Sequence, residues 1–464
     1  MRWREVLHPV TMQRVALLGP RRALRPVLAA VADAGTVQLD PPPDDHADGA
    51  ATQRLLRLGR PAGLVPALSP EAPDLATCEE AGRLDLIAGE AELEARSAAA
   101  LVRGRVAALA GWMPTTAVPG LADRLAPHGG AVVPLPRPAG VQPPTLLPTT
   151  GASTDLTGLV RTYATVPYAD VDPTVLAGLA YVVMFGMMFA DAGHGLLLVL
   201  AAAAVRWGRW RRLERLRPGW LFLLGAGVAS TGFGVAFGEA FGPTGLLPAL
   251  WLRPLEEPVR LLVAGVAAGA VLLAGAYALG TVNRYREGGW RRALYAPSGL
   301  AGASSFLGLG MLAGGWYGHV GWLAVVGAVV AGAGLVAAYA GLLVAAGGGG
   351  AGAAQAVVEL VDLVVRLGSN LVSFARLAAF GMTHAALAAV VWSATTALWH
   401  DGGVAVVAAA LVFVAGNALT FALEGLVAGI QALRLEYYEL FSRVFDTEGV
   451  PFRPWHVPLS PQET

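Results

Sequence analysis

The sequence predicts an α-helical integral membrane protein of about eight transmembrane helices, the last two long and tilted, with a small N-terminal αβ cytoplasmic domain. Three observations carry this. Of 464 residues, 55% are hydrophobic and 14% charged, with a mean hydropathy of +0.55, far above ordinary globular composition. From Pro173 onward, apolar runs follow one another with short polar breaks. The segment before it alternates short strand-like and helix-like patterns with Pro-rich connections.

In the first part, Met12–Leu18 reads as a strand. Pro20–Ala34 reads as a helix with Val27, Ala30 and Val31 on one side, and Thr36–Leu39 as a second strand after the breaker Gly35. Residues 41–75 are rich in Pro, Asp and Ala and read as loop with a fragment of helix. Glu79–Ala110 reads as the main soluble helix, with Leu84, Ile87, Leu93 and Leu101 on an intermittent apolar side. A short helix near Val118–Leu125 and a strand at Ala131–Leu135 follow, and Pro134–Pro148 reads as an extended linker. No heptad repeat joins Pro43 to Ala110, so a compact lobe with a short helical arm is expected, not a long coiled coil. The opening MRWREVLHPVTMQRVALLG lacks an uninterrupted signal-peptide core, which places this lobe in the cytoplasm.

In the membrane part, Val175–Phe189 and Gly193–Val205 are short apolar segments joined at Asp191, either a tight hairpin or one bent element. Asp191 itself reads as a helix cap. The basic run RWGRWRRLERLR (206–217) precedes Trp220–Phe241 and a loop with Glu256 and Glu257. Val259–Val282 leads to a second basic loop, RYREGGWRR (284–292), then Ser298–Gly314, Trp322–Ala345 and a flexible glycine stretch from Gly347. Two long helices, Val357–Leu398 and Val404–Phe445, flank the turn Asp401–Gly403. Arg-rich loops stay inside, so both termini are expected in the cytoplasm of a multi-pass cell-membrane protein. The implied divisions are 1–150, a 151–172 linker, a 173–455 membrane domain and a 456–464 tail.

The net charge is zero, which gives no argument for a nucleic-acid partner. The single Cys78 supports neither an intrachain disulfide nor a zinc site, and no metal or other cofactor is expected. All 33 basic residues are Arg, which fits GC-rich coding and a bacterial source. No GxxxxGK[ST] occurs, so no nucleotide site is expected in this chain.

The chemistry centres on Arg376, inside the apolar run LVSFARLAAFGMTHAALAAV (371–390). An arginine at a bilayer centre costs about 2.5–3.5 kcal/mol on insertion scales, and its guanidinium stays charged. It needs a polar cavity or a carboxylate. At helical spacing, Glu359, Asp362, Arg366, Ser369, Ser373, Arg376, Phe380 and His384 form one nearly polar stripe. Asn417, Thr420, Glu424, Gln431, Arg434 and Tyr438 form a second on the last helix. Two striped helices fit a route for ions. They also fit charges that only lock two helices together, or a stand-alone secondary ion-coupled transporter.

Local wording narrows this. VDPTVLAGLAYVVMFGMMFADAGHGLLL (171–198), SNLVSFARLAAFGMTHAAL (369–387) and LEGLVAGIQALRLEYYELFSRVFDTEGVPFRPW (423–455) resemble signatures of the large membrane subunit of V/A-type rotary ATPases, called subunit I in prokaryotes and subunit a in eukaryotes. TGFGVAFGEAFG (231–242), LAGWMPTTAVPGLADRL (109–125) and QPPTLL (142–147) fit it too, so the resemblance covers nearly the whole chain. It implies a non-catalytic stator of the membrane (V0) sector of an ATPase or ATP synthase. Such a subunit offers two offset half-channels to a rotating proteolipid c/K-ring, with ATP handled by other subunits. The implied partners are that ring, peripheral-stalk subunits, membrane lipid and, indirectly, the central stalk and nucleotide-binding subunits. The transported ion is H⁺ or Na⁺, a choice set by the ring.

Arg376 matches the family's essential arginine. Its permanent charge favours the ionised ring carboxylate, so the carboxylate releases its ion, and blocks leakage between half-channels. Glu424 and Arg434 match an acidic and a basic position on the last helix. Asp362 falls on an acidic position, and His384 on a histidine of eukaryotic members. Glu424 also reads as a mere neutraliser of Arg434 or Arg376, His384 as a packed polar residue, and Asp362 as solvated. Chain direction places His384 and Glu424 in the outer half-channel and Asp362 with Gln431 in the inner one; Ser373 lies on the stripe beside Arg376. Family members carry a long coiled-coil arm between two αβ lobes. One convincing helix stands there, implying a bacterial member with a shortened N-terminal domain. Arg366 stands where eukaryotic members have a neutral polar residue.

Overall fold

The computed structural model describes residues 9–42, 49–59, 61–138, 140–147, 166–208, 217, 219–445 and 448–460. The chain divides into two units. The first contains residues 9–147 together with 449–460.

Its sheet is antiparallel. Strand β1 (Met12–Pro20) alternates buried and half-buried residues, so Val15 and Leu17 face inward. Helix α1 (Leu24–Ala34) lays Val27, Leu28 and Val31 on the same core and stops at Gly35. There a φ of +57° lets the Gly35 amide return to the Val31 carbonyl. Strand β2 (Gln38–Leu39) follows, and helix α2 (Ala50–Leu58) packs by Ala51. The expected helix over Glu79–Ala110 is instead two helices and a hairpin. These are α3 (Leu75–Glu80), α4 (Leu84–Ala98), β3 (Leu101–Arg103) and β4 (Val106–Pro114). Alanine-rich β4 carries little strand propensity, but it alternates in burial and pairs with β1 along its whole length, from Met12↔Pro114 to Pro20↔Val106. Gly104, at φ +63°, turns β3 into β4. Helix α5 (Val118–Leu125) and strand β5 (Ala131–Pro134) complete an order β2-β4-β1-β5, with β3 on β4.

The segment 449–460 belongs to this unit. The Trp455 amide donates to the Val37 carbonyl, the Leu68 amide donates to the Pro458 carbonyl, the Ser460 amide donates to the Leu68 carbonyl, and Trp455 and Val457 are buried in the core. The expected 151–172 linker lies outside the described residues up to 165, as does most of the 206–217 basic run.

The second unit is helical. Its elements are α6 (Thr174–Met188), α7 (Ala192–Trp207), α8 (Trp220–Phe237), α9 (Pro258–Tyr295), α10 (Leu300–Tyr317), α11 (Gly321–Ala345), α12 (Gly349–Ser373), α13 (Ala375–Asp401) and α14 (Ala405–Leu435). The last helix continues through a π-helical turn, Glu436–Phe441, into Ser442–Val444. Among the described residues, five helices are long and apolar enough to cross a membrane, α12 and α13 counting as one. At 15 and 16 residues, α6 and α7 are shorter, about 23 Å each against a hydrocarbon core of about 30 Å. The expected basic loop 284–292 is helical. Helix α9 runs through it and breaks only at Gly288 and Gly289. The expected flexible glycine stretch is already helix from Gly349.

A buried polar knot fixes the end of the last helix. Asn283 and Arg284 of α9 both donate to the Val444 carbonyl, and the Val171 amide donates to Asn283. Arg284 also pairs with Glu287 at 2.7 Å. Burial, with the Glu287 charge beside it, pushes the Asp170 carboxyl up to about 7, against the pull of Arg284.

Trp455→Ala removes a large buried ring and is expected to destabilise the first unit by about 3–5 kcal/mol. The denaturant midpoint for proteolysis of that unit in the intact protein should fall. An unchanged midpoint would mean that 449–460 is not part of its core.

Candidate functional site

The site is built by the way two long helices are interrupted. Helix α12 ends at Ser373 and α13 begins at Ala375, with Phe374 between them. The Leu377 amide bonds the Phe374 carbonyl instead of the Ser373 carbonyl. The freed Ser373 carbonyl accepts from Arg376 Nε at 3.0 Å. Phe374 is fully buried and its ring lies against Gly269 of α9, where an added Cβ would come within 2.2 Å of the ring. That glycine lets the break sit against α9, and the break supplies the first partner of Arg376.

The second partner is an acid. Arg376 Nη2 donates to Glu439 Oε1 at 2.7 Å, and Glu439 is buried. Nη1 is buried with no hydrogen-bond partner among the described residues. Arg376 borders a cavity of about 530 Å³ lined by Leu262, Ser369, Val372, Ser373, Ala379 and Met382. A charge-assisted pair on one edge and a carbonyl on another leave one nitrogen for a further acceptor.

Farther along α13, His384 Nδ1 pairs with Glu424 Oε2 of α14. His384 is almost fully buried, and Phe189 and His194 stand against its ring at 4.9 and 5.6 Å between centroids. Asp191 caps α7, as its place in FADAGHG predicts, with Oδ1 accepting from the His194 amide. It also accepts from the amides of Phe241 and Gly242, tying the α6–α7 hairpin to the end of α8. The ligand atoms of Asp191, His194 and His384 lie within 4.8 Å of one another, a spacing a metal ion could use. Both Asp191 oxygens accept from backbone amides, so Asp191 acts as a hydrogen-bonded clamp between the two segments.

The polar stripes therefore change environment along their length. On α12, Glu359, Asp362, Arg366 and Ser369 are exposed, and Asp362 pairs with Arg366 at 2.7 Å. Arg376 is half-buried and His384 buried. On α14 the order runs the other way: Asn417 and Thr420 are buried, Gln431 is half-buried with Oε1 unbonded among the described residues, and Arg434 and Tyr438 are exposed. The acid that neutralises Arg376 is Glu439, not Glu424, which pairs with His384. Sequence periodicity misses Glu439 because the π-helical turn shifts the face on which it lands. It misses His194 and Glu239, both buried: His194 lies in the short α7, which carries no polar stripe, and Glu239 lies in the loop just past the end of α8.

Apolar helices of membrane-crossing length around an Arg–Glu ion pair and a His–Glu pair define a multi-pass membrane protein. Residues 100–212 and 353–457 match the V-type ATPase 116kDa subunit family. Curated relatives include A-type ATP synthase subunit I of Aeropyrum pernix, 28% identical over 342 residues, covering 61% of this chain and 47% of the relative. The Halobacterium salinarum subunit I is 27% identical over 389 residues (68% and 51%), and that of Archaeoglobus fulgidus 26% over 403 residues (75% and 58%). The chain spans about half the length of the curated relatives it matches. Over those segments it is similar to the V/A-type ATPase subunit I/a family.

Asp191→Ala removes a helix cap and leaves two further amides unbonded. It is expected to cost about 2 kcal/mol or more, lowering the thermal midpoint of the detergent-solubilised protein, with Asp191→Asn intermediate. A midpoint equal to the parent's in the Ala variant would contradict the clamp.

Proposed function

We propose that this chain is the stator of an ATP synthase membrane sector, offering two offset half-channels for H⁺ or Na⁺ to a rotating proteolipid ring. The observation that carries this is Arg376. It is held by Ser373 and Glu439, with Nη1 unbonded among the described residues, beside a cavity within the bilayer-length helices. A ring carboxylate arriving there meets a permanent cation and is favoured in its ionised form. His384 with Glu424 serves the outer half-channel; Asp362 and Gln431 serve the inner one, with Arg434 and Ser373 beside the contact. The exposed Arg434 and the exposed apolar face around Leu423, Leu426 and Ile430 suit a rotor surface.

The chain itself performs no ATP chemistry in this reading. Its partners are the ring, the peripheral stalk, surrounding lipid and, indirectly, the central stalk and nucleotide-binding subunits. It crosses the cell membrane about eight times with both termini in the cytoplasm, α6, α7 and α10 adding to the longer helices. The proposed functional parts are 1–150, a 151–172 linker and a membrane part from 173 that carries translocation, with 449–460 packed into the first unit.

Arg376→Ala is expected to abolish ATP-driven ion uptake in vesicles while the membrane-sector subunits persist on immunoblots of the same preparation. An arginine is itself costly to insert, so its removal is not expected to block insertion. Arg376→Lys is expected to fail as well, since a desolvated ammonium sheds its proton. Normal uptake in the Ala variant would refute the channel role. Joint loss of subunits and activity would assign Arg376 to helix locking.

A further inference from the structure

The acid that faces Arg376 has no part in the half-channel scheme. Glu439 is buried at 5% exposure, and Oε2 is unbonded among the described residues while Oε1 takes Arg376 Nη2. Arg434, on its own helix, also acts on this carboxylate. The π-helical turn Glu436–Phe441 puts it there. One extra residue per turn retards the following side chains by roughly 100°, so Glu436 and Glu439 both face inward while Tyr438 is 69% exposed. Glu436 does not share the task, because it lines a separate cavity with Leu176, Leu272 and Leu440.

A bare buried guanidinium would be a poor rotor contact. It would take the first carboxylate to arrive as a two-pronged, charge-assisted pair and hold it. A ring must let each carboxylate leave as readily as it came. With Glu439 in place, one edge of the guanidinium is occupied and the pair is close to neutral, so a passing carboxylate is held less tightly.

We propose that Glu439 is a positioning residue, a resident rival of the ring carboxylate. It aims Arg376 and limits how tightly the passing carboxylate is held. This rests on the reading that Arg376 faces the ring. Removing the Glu439 charge leaves a net cation in the pocket. The ionised ring carboxylate is then favoured more strongly, and loading it with an ion needs a higher ion concentration on the loading side. One unit charge at several ångströms and an effective dielectric near 20 is worth about one pKa unit or more, so the half-saturating ion concentration should rise about tenfold.

The test uses the assembled complex in vesicles with Glu439→Gln, Glu439→Asp and, separately, Arg376→Ala. Proton uptake is followed with a pH-sensitive dye and sodium uptake with radioactive Na⁺, each at varied ion concentration on the loading side. Glu439→Gln should keep the subunits assembled and the ions moved per ATP unchanged, lower maximal turnover about threefold or more, and raise the half-saturating concentration about tenfold. Glu439→Asp should recover most of that shift. A Gln variant with parental turnover and parental half-saturation would overturn the proposal. So would loss of the subunits in both Glu439 variants, which would make Glu439 a packing residue. Normal uptake in Arg376→Ala would instead remove the half-channel reading itself, whatever Glu439 does.

Discussion

A guanidinium keeps its proton, so placing Arg376 among bilayer-length helices sets a condition that the second unit has to meet. It meets it by breaking regular structure twice. At Phe374 the helix tightens for one residue, and the Ser373 carbonyl turns from its backbone partner to Arg376 Nε. At Glu436–Phe441 the last helix widens into a π-helical turn and delivers Glu439 to Nη2. Gly269 gives Phe374 the room to sit against α9. Each departure costs local hydrogen-bond geometry, and the buried charge pair offsets it.

The same helix pair holds a second polar site, and the two are organised differently. Arg376 and His384 are eight residues apart on the chain, about 12 Å along a helix. Around His384 and Glu424 the neighbours are rings, Phe189, His194 and Phe421, in a closely packed setting. Around Arg376 there is open volume bordered by Leu262, Val372 and Met382. Because α13 and α14 run antiparallel across the turn at Asp401–Gly403, polar residues are exposed toward one end of the pair and buried toward the other. In the proposed function this asymmetry lets two access routes meet the ring at different depths without joining.

Much of the helical architecture was legible in the sequence, because apolar runs of bilayer length are long-range signals that need no partner to be recognised. Met12–Pro20 and Val118–Leu125 were legible for the same reason on a smaller scale: their periodicity is local. Val106–Pro114 was not, since its alanines and glycine look helical or featureless until β1 pairs with them. The role of residues 449–460 in the first unit depends on contacts with Val37, Ala32 and Leu68, hundreds of residues away, which no local pattern records. At the site, Arg376, His384 and Glu424 stood out as charged or polar groups in apolar surroundings. Glu439 did not, because a π-helical turn moves it off the face that α-helical counting assigns.

In the proposed function, one face of the last hairpin, including Ala379 of α13 and Ile430 of α14, lies against the rotating ring. Disulfide trapping reads this contact directly. With Cys78 replaced by serine, single cysteines at Ala379, Ile430, Ala385 or Val325 are each combined with a cysteine beside the ring carboxylate, and oxidised in the assembled complex. Ala379 and Ile430 are exposed, whereas Ala385 is buried; Val325 is exposed on α11. Links to the ring from positions 379 and 430, with none from 385 or 325, are predicted. Links from 325 with none from 379 or 430 would place the rotor on another face and contradict the account.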